Sequence, residues 1–410
     1  MDFTLPEEAV AIGESLIKFI DREVVPLEEA HRDLLGNERR LFTEDGRFAP
    51  EVLALRKTVR MRSAEEGFYT MFGSEALGGG GLGPIEAVYL QELINARYGP
   101  DRPLIQTFVI PSPFTNGLTP LLQWLQPETL DLYRDGIASG EKTLCFGLSE
   151  PDAGSDVFGM RSRAVRDGDD WVLTGTKQWI TNAPYADYAM VFAVTDPDAA
   201  AARKGGITGF FLRTDQAGFS VPSTIPVMGH LGAEIGIIAL EGVRVADSHR
   251  MGAVGEGLKV AMSGVNTGRL GMAGSCVGLA RWALEAALDY AKTRKTFGKP
   301  IAEHQAIQLH LADCAMDIYA ARSMVQNCAW QVATGKRAVK EISMVKAFST
   351  EMLNRVMDRC IQVHGAMGLT NELRLEAGYR FARVMRIPDG TGEIQRRTIA
   401  QRLLAGDVDF

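Results

Sequence analysis

The sequence predicts an α+β chain in three parts, a helical N-terminal domain, a central β-domain and a helical C-terminal bundle, and two changes of texture predict it. Around Leu144 the helical apolar period gives way to β-branched and aromatic runs separated by turn residues. After Gly255 the helical period returns and stays. The boundaries fall at residues 1–143, 144–254 and 255–410.

In the first part Pro6-Glu7-Glu8 opens a segment in which Ala9, Ile12, Leu16 and Phe19-Ile20 recur at helix spacing. Arg32 to Arg62 is rich in arginine and turn residues and reads as a surface insertion or helix with a solvated face. The middle part offers strands at Trp171–Thr174, Tyr188–Val194, Ile207–Leu212 and Ile237–Val245, with a hairpin turn at Asp167-Gly168-Asp169-Asp170. In the last part Leu309, Ala312, Met316 and Tyr319 mark one apolar helix face. Ile342, Val345, Phe348, Met352, Val356, Cys360 and Val363 mark a longer one.

Composition bounds the function. With 410 residues, 46% hydrophobic and 23% charged, the chain can build two or three packed domains. A net charge of −7 argues against a nucleic-acid binder working through a general basic field. The five cysteines (Cys145, Cys276, Cys314, Cys328, Cys360) are odd in number, lack a C-x-x-C pair and sit in apolar segments, as buried reduced thiols do. The six histidines have no metal-ligand spacing, so no metal is expected. Met1 to Ile20 lacks the features of a signal peptide, and no run reaches the roughly 18 apolar residues of a membrane span. The expected location is the cytoplasm, or the mitochondrial matrix if a transit peptide has been removed.

Gly78, Gly80 and Gly83 formally satisfy G-x-G-x-x-G, but the preceding Met71–Leu77 has loop character, so the strand-turn-helix context of a dinucleotide fold is missing. Four other segments carry chemistry. Leu144 to Asp156 runs from a strand into a loop of small and hydroxylated residues (Phe146, Leu148, Ser149, Ser155) able to approach a planar heterocycle or a thioester tail; a plain turn is the competing reading. In Lys177-Gln178-Trp179-Ile180-Thr181 an extended chain projects Trp179 and Thr181 to one face, where an aromatic plane could cover a flavin ring; a core Trp is the alternative. Tyr290 to Ile301, followed by His304-Gln305, ends a helix beside Arg294, a fixed cation suited to a pyrophosphate or to the helix dipole. Gln362 to Leu369 and Arg386 to Arg396 bring glycines that admit close backbone approach. They also bring Asp389, a carboxylate on a loop between Pro388 and Gly390.

In this order and spacing, over essentially the whole chain, the four segments resemble the acyl-CoA dehydrogenase family. The resemblance implies an α-helical domain, a β-barrel-like middle domain and a C-terminal four-helix bundle, with FAD bound between subunits of a homotetramer. It implies α,β-dehydrogenation of an acyl-CoA to the trans-2-enoyl-CoA in fatty-acid metabolism, with electrons passed to an electron-transfer flavoprotein. Matched residue by residue, Phe146, Leu148, Ser149, Trp179 and Thr181 fall on flavin-ring positions, and Ser155 near the pantetheine tail. Arg294, Thr296, Phe297 and Gln305 match the stretch reaching the ADP half of a neighbour's FAD, and Gln362, Gly365 and Ala366 a second contact to it. Thr391 and Glu393 match further FAD contacts, and Asn266, Arg269 and Gly390 fall on the acyl-CoA site.

The sequence departs from the family pattern at several positions. Ser149 stands where Thr is usual, and Ala366 and Glu393 replace a common Gly and Gln. Asp389 replaces the usual catalytic Glu, one methylene shorter; the alternative base position on the helix near Arg269 is Gly268, which has no carboxylate. Three competing readings share the scaffold: a nitroalkane oxidase-like enzyme, which also uses Asp, an acyl-CoA oxidase-like enzyme using O2, and a catalytically silent flavin-bound scaffold.

Overall fold

The computed structural model describes residues 4–228 and 234–409. The chain separates into two compact units, one of Phe19–Leu82 and Pro103–Val265, the other of Met1–Lys18, Gly83–Arg102 and Asn266–Phe410. The predicted first helix is α1 (Glu7–Phe19).

The first unit is built on one eight-stranded sheet. Its strands are β1 (Leu144–Gly147), β2 (Arg163–Asp167), β3 (Asp170–Thr181), β4 (Tyr188–Val194), β5 (Ile207–Arg213), β6 (Phe219–Thr224), β7 (Ile235–Ala246) and β8 (Arg250–Met251). The order is β6-β7-β3-β2-β4-β5-β8, with β1 parallel to β4. Residues 168 and 169 make the tight turn between β2 and β3, as the Asp-Gly signal predicts. Strand alternation decides the two cores: Met190, Phe192 and Val194 of β4 join Phe211 and the leucines at 121 and 122. Ala189, Val191 and Ala193 on its other face meet Leu173, Ile238, Leu240 and Val243 of β3 and β7, so the sheet folds over on itself.

Helix α2 (Pro50–Glu65) corrects the reading of the arginine-rich stretch. Arg56 and Arg60 are buried rather than solvated. The Arg56 guanidinium lies 3.8 Å over the Phe48 ring and 2.7 Å from the Glu234 carboxylate, and Arg60 donates to the Gly140 carbonyl at 3.0 Å. A guanidinium that stacks on rings, or donates to a carboxylate or a carbonyl, can be packed inside, which charge counting along a sequence does not register. Before Gly78 the chain makes a 3-10 turn (Glu75–Leu77) and no strand, so those glycines are not a phosphate loop.

The second unit contains α3 (Pro84–Tyr98), most of α4 (Gly257–Thr293), α5 (Gln305–Ala333), α6 (Val339–His364), α7 (Leu375–Met385) and α8 (Gly392–Leu404). They share one core of small and aliphatic side chains. Gly274 and Gly278 let the backbone of α4 come against that of α3: a Cβ at Gly274 would sit 2.8 Å from the Val88 carbonyl. The predicted face of α6 is the observed one, with Ile342, Val345, Met352, Val356, Cys360 and Val363 buried. On α5 the inward residues are instead Cys314, Ile318, Ala321, Val325 and Cys328. The predicted stripe of Leu309, Met316 and Tyr319 points outward, Tyr319 being 77% exposed. Two stripes at helix spacing compete on α5, and the smaller side chains win the interior because the bundle packs closely there.

All five cysteines are buried and free. Among the described residues no helix is long and apolar enough to cross a membrane, and no group of three His, Cys, Asp or Glu side chains could hold a metal ion.

An ion pair inside the first unit fixes the loop that follows β1. Lys177, fully buried on β3, places its Nζ 2.7 Å from Glu150 Oε1. The same carboxylate accepts the backbone N–H groups of Arg161 and Ser162 at 2.6 and 3.0 Å. Burial works against ionising Glu150, but the Lys177 charge and these donors outweigh it and hold its pKa below the usual range. Lys177→Met is expected to cost ~3–5 kcal/mol in denaturant unfolding, because it leaves a buried carboxylate unpaired. The double variant Lys177→Met/Glu150→Gln should be less destabilised than the sum of its parts, since Gln keeps an acceptor for Arg161 and Ser162. A strictly additive double-mutant cycle would show that the pair is not coupled.

Candidate active site

In the first unit the predicted residues gather along one end of the sheet. Phe146 of β1 is half-buried between the rings of Phe114 and Phe192, with centroids 5.0 and 5.1 Å away. Leu148 packs beside it against the same core. Ser149 follows, and its carbonyl accepts the N–H of Gln178 at 3.0 Å, tying the loop to β3. The register of β3 against β7 slips between Lys177 and Ile180. Within that bulge Trp179 takes a φ of 66°, a left-handed conformation that costs on the order of 1–3 kcal/mol for a bulky residue. The slip leaves Trp179 and Thr181 both on the exposed side, with the indole 53% exposed. Asn182, also left-handed, closes the bulge through its Nδ2 on the Leu144 carbonyl at 2.8 Å.

The hydroxyls of Ser149 and Thr181 make no hydrogen bond among the described residues. An exposed aromatic plane flanked by free hydroxyls can cover a planar heterocycle and hydrogen-bond its edge. Ser155 lies exposed further along the loop, which the Glu150–Ala153 bridge folds back on itself.

In the second unit α4 ends at Thr293 and gives way to a small hairpin, β9 (Lys295–Thr296) and β10 (Lys299–Pro300). Phe297 and Gly298 form its tip with φ of 52° and 80°. Phe297 is 97% exposed, and the Arg294 guanidinium makes no ion pair among the described residues. Thr296 Oγ1 is 3.3 Å from His304 Nε2, and Gln305 is exposed at the start of α5. Gln362 and Ala366 are exposed around Gly365, whose φ of 59° ends α6.

Asp389 lies in the same unit, in the turn between α7 and α8. Asp389 and Gly390 both have positive φ, 57° and 91°. Three side chains hold the turn by its backbone: Arg269 Nε donates to the Asp389 carbonyl at 2.8 Å, Gln395 Nε2 to both carbonyls at 3.0 Å, and Lys346 Nζ to the Gly390 carbonyl at 2.8 Å. A side chain at Gly390 would strike Gln395 and Arg269. Thr391 caps α8 by accepting the Ile394 N–H, and Asn266 accepts from Arg269 at 3.3 Å. Glu393 is exposed at the start of that helix.

The Asp389 carboxylate itself makes no hydrogen bond or ion pair among the described residues. Burial pushes its pKa up to about 6, and the nearby Arg269 and Lys346 charges temper the rise. A carboxylate so placed can accept and return a proton near neutral pH. Lys346 and Gln395 are the residues that sequence reasoning missed. The signal for Lys346 is a lysine inside the apolar stripe of α6, between Val345 and Ser349.

The model for the acyl-CoA dehydrogenase middle domain matches residues 145–243, and that for the acyl-CoA dehydrogenase C-terminal domain matches residues 255–404. A protein named caffeyl-CoA reductase-Etf complex subunit CarC, from Acetobacterium woodii, is 36% identical over 363 residues, 88% of this chain and 91% of that one. The human mitochondrial short-chain specific acyl-CoA dehydrogenase is 34% identical over 387 residues, covering 93% and 91%. The solved butyryl-CoA dehydrogenase of Megasphaera elsdenii superposes with a TM-score of 0.83 at 26% identity, over 98% of this chain and 100% of that one. Two domain models spanning more than half of the sequence, relatives matched over nearly full length and a common fold place this chain in the acyl-CoA dehydrogenase family, as an FAD-dependent oxidoreductase acting on a CH–CH group.

Proposed function

We propose that the protein oxidises an acyl-CoA thioester to its trans-2-enoyl-CoA, with Asp389 as the base that takes the α-proton, and hands the electrons to an electron-transfer flavoprotein. The observation that carries this reading is the Asp389 turn: its backbone is clamped, its carboxylate is free, and its pKa stands near 6. FAD, when bound, supplies the hydride acceptor for the β-carbon. Trp179 shields the ring, and the hydroxyls of Ser149 and Thr181 meet its edge beside Phe146 and Leu148. Arg269, Asn266 and Gly390 orient the base at the acyl end, and Ser155 meets the pantetheine arm. The relative named as a subunit of an Etf complex supports the electron partner. That relative is also named a reductase, and by microscopic reversibility the same carboxyl, once protonated, would return the α-proton in the reductive direction.

The remaining FAD contacts come from a neighbouring copy of the chain in a homotetramer. Arg294, Thr296, Phe297 and Gln305 reach the ADP half of a neighbour's FAD, and Gln362, Gly365 and Ala366 add to it, with Thr391 and Glu393 beyond. A nearly naked Phe297, an Arg294 with no ion pair among the described residues, and the outward stripe of Leu309, Met316 and Tyr319 support burial by another copy.

The protein is expected to purify yellow, and acyl-CoA added without oxygen should bleach the flavin. An artificial one-electron acceptor should sustain turnover better than O2; rapid peroxide formation with a nitroalkane and no bleaching by any acyl-CoA would instead identify an oxidase. Arg294→Ala should lose FAD on gel filtration more readily than it loses fold, since it removes charge-assisted hydrogen bonds, and full retention would rule out the contact.

Asp389→Asn should slow flavin reduction by at least ~10²-fold with FAD still bound, and abolish the fall in parental rate below about pH 6. Flavin reduction at the parental rate would remove Asp389 from the mechanism. Stability should move the other way. The pKa is raised from 3.8, so the linked stability is full below about 3.8 and is lost as pH rises from there through about 6. Ionised at neutral pH, the group costs up to ~3 kcal/mol. Asn tolerates the left-handed turn and carries no charge, so Asp389→Asn should unfold at higher denaturant above pH 6.

A further inference from the structure

Lys346 is a buried cation to which the reaction outlined above gives no task. It sits on α6, fully buried, and donates to the Gly390 carbonyl at 2.8 Å. No carboxylate lies within 4 Å of its ammonium among the described residues, in contrast to Lys177, which meets Glu150 directly. The charged and titratable groups facing it are Asp389 from the turn before α8, Arg269 and Cys276 from α4, and Glu351 from its own helix.

Its hydrogen bond is duplicated, because Gln395 Nε2 already donates to the Gly390 carbonyl at 3.0 Å. Its charge is not duplicated in the same way. The Arg269 guanidinium approaches the turn through the Asp389 carbonyl from α4, whereas Lys346 approaches from α6 through the next carbonyl. A desolvated ammonium with one neutral acceptor is a poor device for packing alone, since an apolar side chain would fill the space without giving up hydration.

We infer that Lys346 is a positioning residue for the dehydrogenation site, which holds the Asp389–Gly390 turn from below and whose charge favours the ionised form of the Asp389 carboxylate. This rests on Asp389 as the base. Burial lowers the pKa of Lys346 to about 8, so it keeps its charge through the range in which Asp389, titrating near 6, becomes able to accept a proton. The two values bound a window in which the carboxylate is ionised and the ammonium still faces it. The chain thereby keeps a base buried enough to be strong and charged enough to be available.

The test uses the FAD-loaded enzyme and the rate of anaerobic flavin bleaching by the fastest of butyryl-, octanoyl- and palmitoyl-CoA, measured across pH. Lys346→Gln keeps a donor for Gly390 but no charge; Lys346→Met removes both; Lys346→Arg restores the charge. In the Gln and Met variants the acid limb should move up by about one pH unit, giving ~10-fold slower bleaching well below the limb and a much smaller loss above it. Lys346→Arg should return the limb toward the parental position. A uniform loss at every pH, or an unmoved limb in Lys346→Gln, would overturn the inference; the Gln variant decides if the Met variant does not fold.

The Asp389 carboxyl can also be titrated by infrared difference spectroscopy without substrate, its band assigned by its loss in Asp389→Asn. That titration should move upward in Lys346→Gln and not in Lys346→Arg, and an unchanged titration in Lys346→Gln overturns the inference. Because it reads the carboxyl directly, it decides the role of Lys346 even where Asp389→Asn bleaches at the parental rate, an outcome that sinks the base assignment alone.

Discussion

A lysine ammonium cannot be taken out of water without something to receive its protons, and this constraint organises both ends of the chemistry. In the sheet, Lys177 meets Glu150, and Glu150 in turn gathers the N–H groups of Arg161 and Ser162. The loop carrying Leu148, Ser149 and Ser155 is therefore anchored at its stem by a charge pair, while its tip stays open. β3, which supplies the lysine, carries Trp179 two residues further on, so one strand both fixes the loop and presents the indole.

In the helical unit the arrangement is inverted. Lys346 spends its hydrogen bond on a backbone carbonyl and leaves the nearby carboxylate unpaired. The pKa values record the difference: Glu150, contacted directly and fed by backbone donors, lies below the usual range, whereas Asp389, with no such partner, rises to about 6. A lysine beside a carboxylate thus gives a structural anchor that favours the ionised form in one place and a group titrating near neutrality in the other. The deciding variable is whether the donors reach the side chain or stop at the main chain.

Much of this was legible in the sequence. The β-branched and aromatic runs, Tyr188–Val194 among them, and the Asp-Gly turn gave strands and a connection, and the α6 stripe gave a buried helix face. The outward turn of Leu309, Met316 and Tyr319 was not legible, because periodicity identifies an apolar face without saying what covers it. Arg56 and Arg60 were misread for a related reason: the rings and carbonyls that receive them are distant in sequence. Trp179 and Thr181 were placed on one face by strict alternation; the structure reaches the same result through a bulge and a left-handed Trp, which no two-residue period contains. Asp389 stood out by its loop setting, but its clamps come from α4, α6 and α8 and could be found only once those helices were brought together.

The close seating of α4 on α3 limits how this protein can be made more robust. Replacing helical glycines by alanine is a standard route to a stiffer unfolded chain and a tougher fold, worth ~0.4–1 kcal/mol each where space allows. At Gly274 and Gly278 the added methyl would be driven into the backbone of α3, so that route is closed along the contact. One turn earlier on the same helix, a Cβ at Gly271 would meet nothing within 4 Å. Gly271, Gly274 and Gly278 share one face of α4, so its thermostabilisation is a matter of position along the helix: the same substitution has room at Gly271 and would pry two helices apart at Gly274 and Gly278.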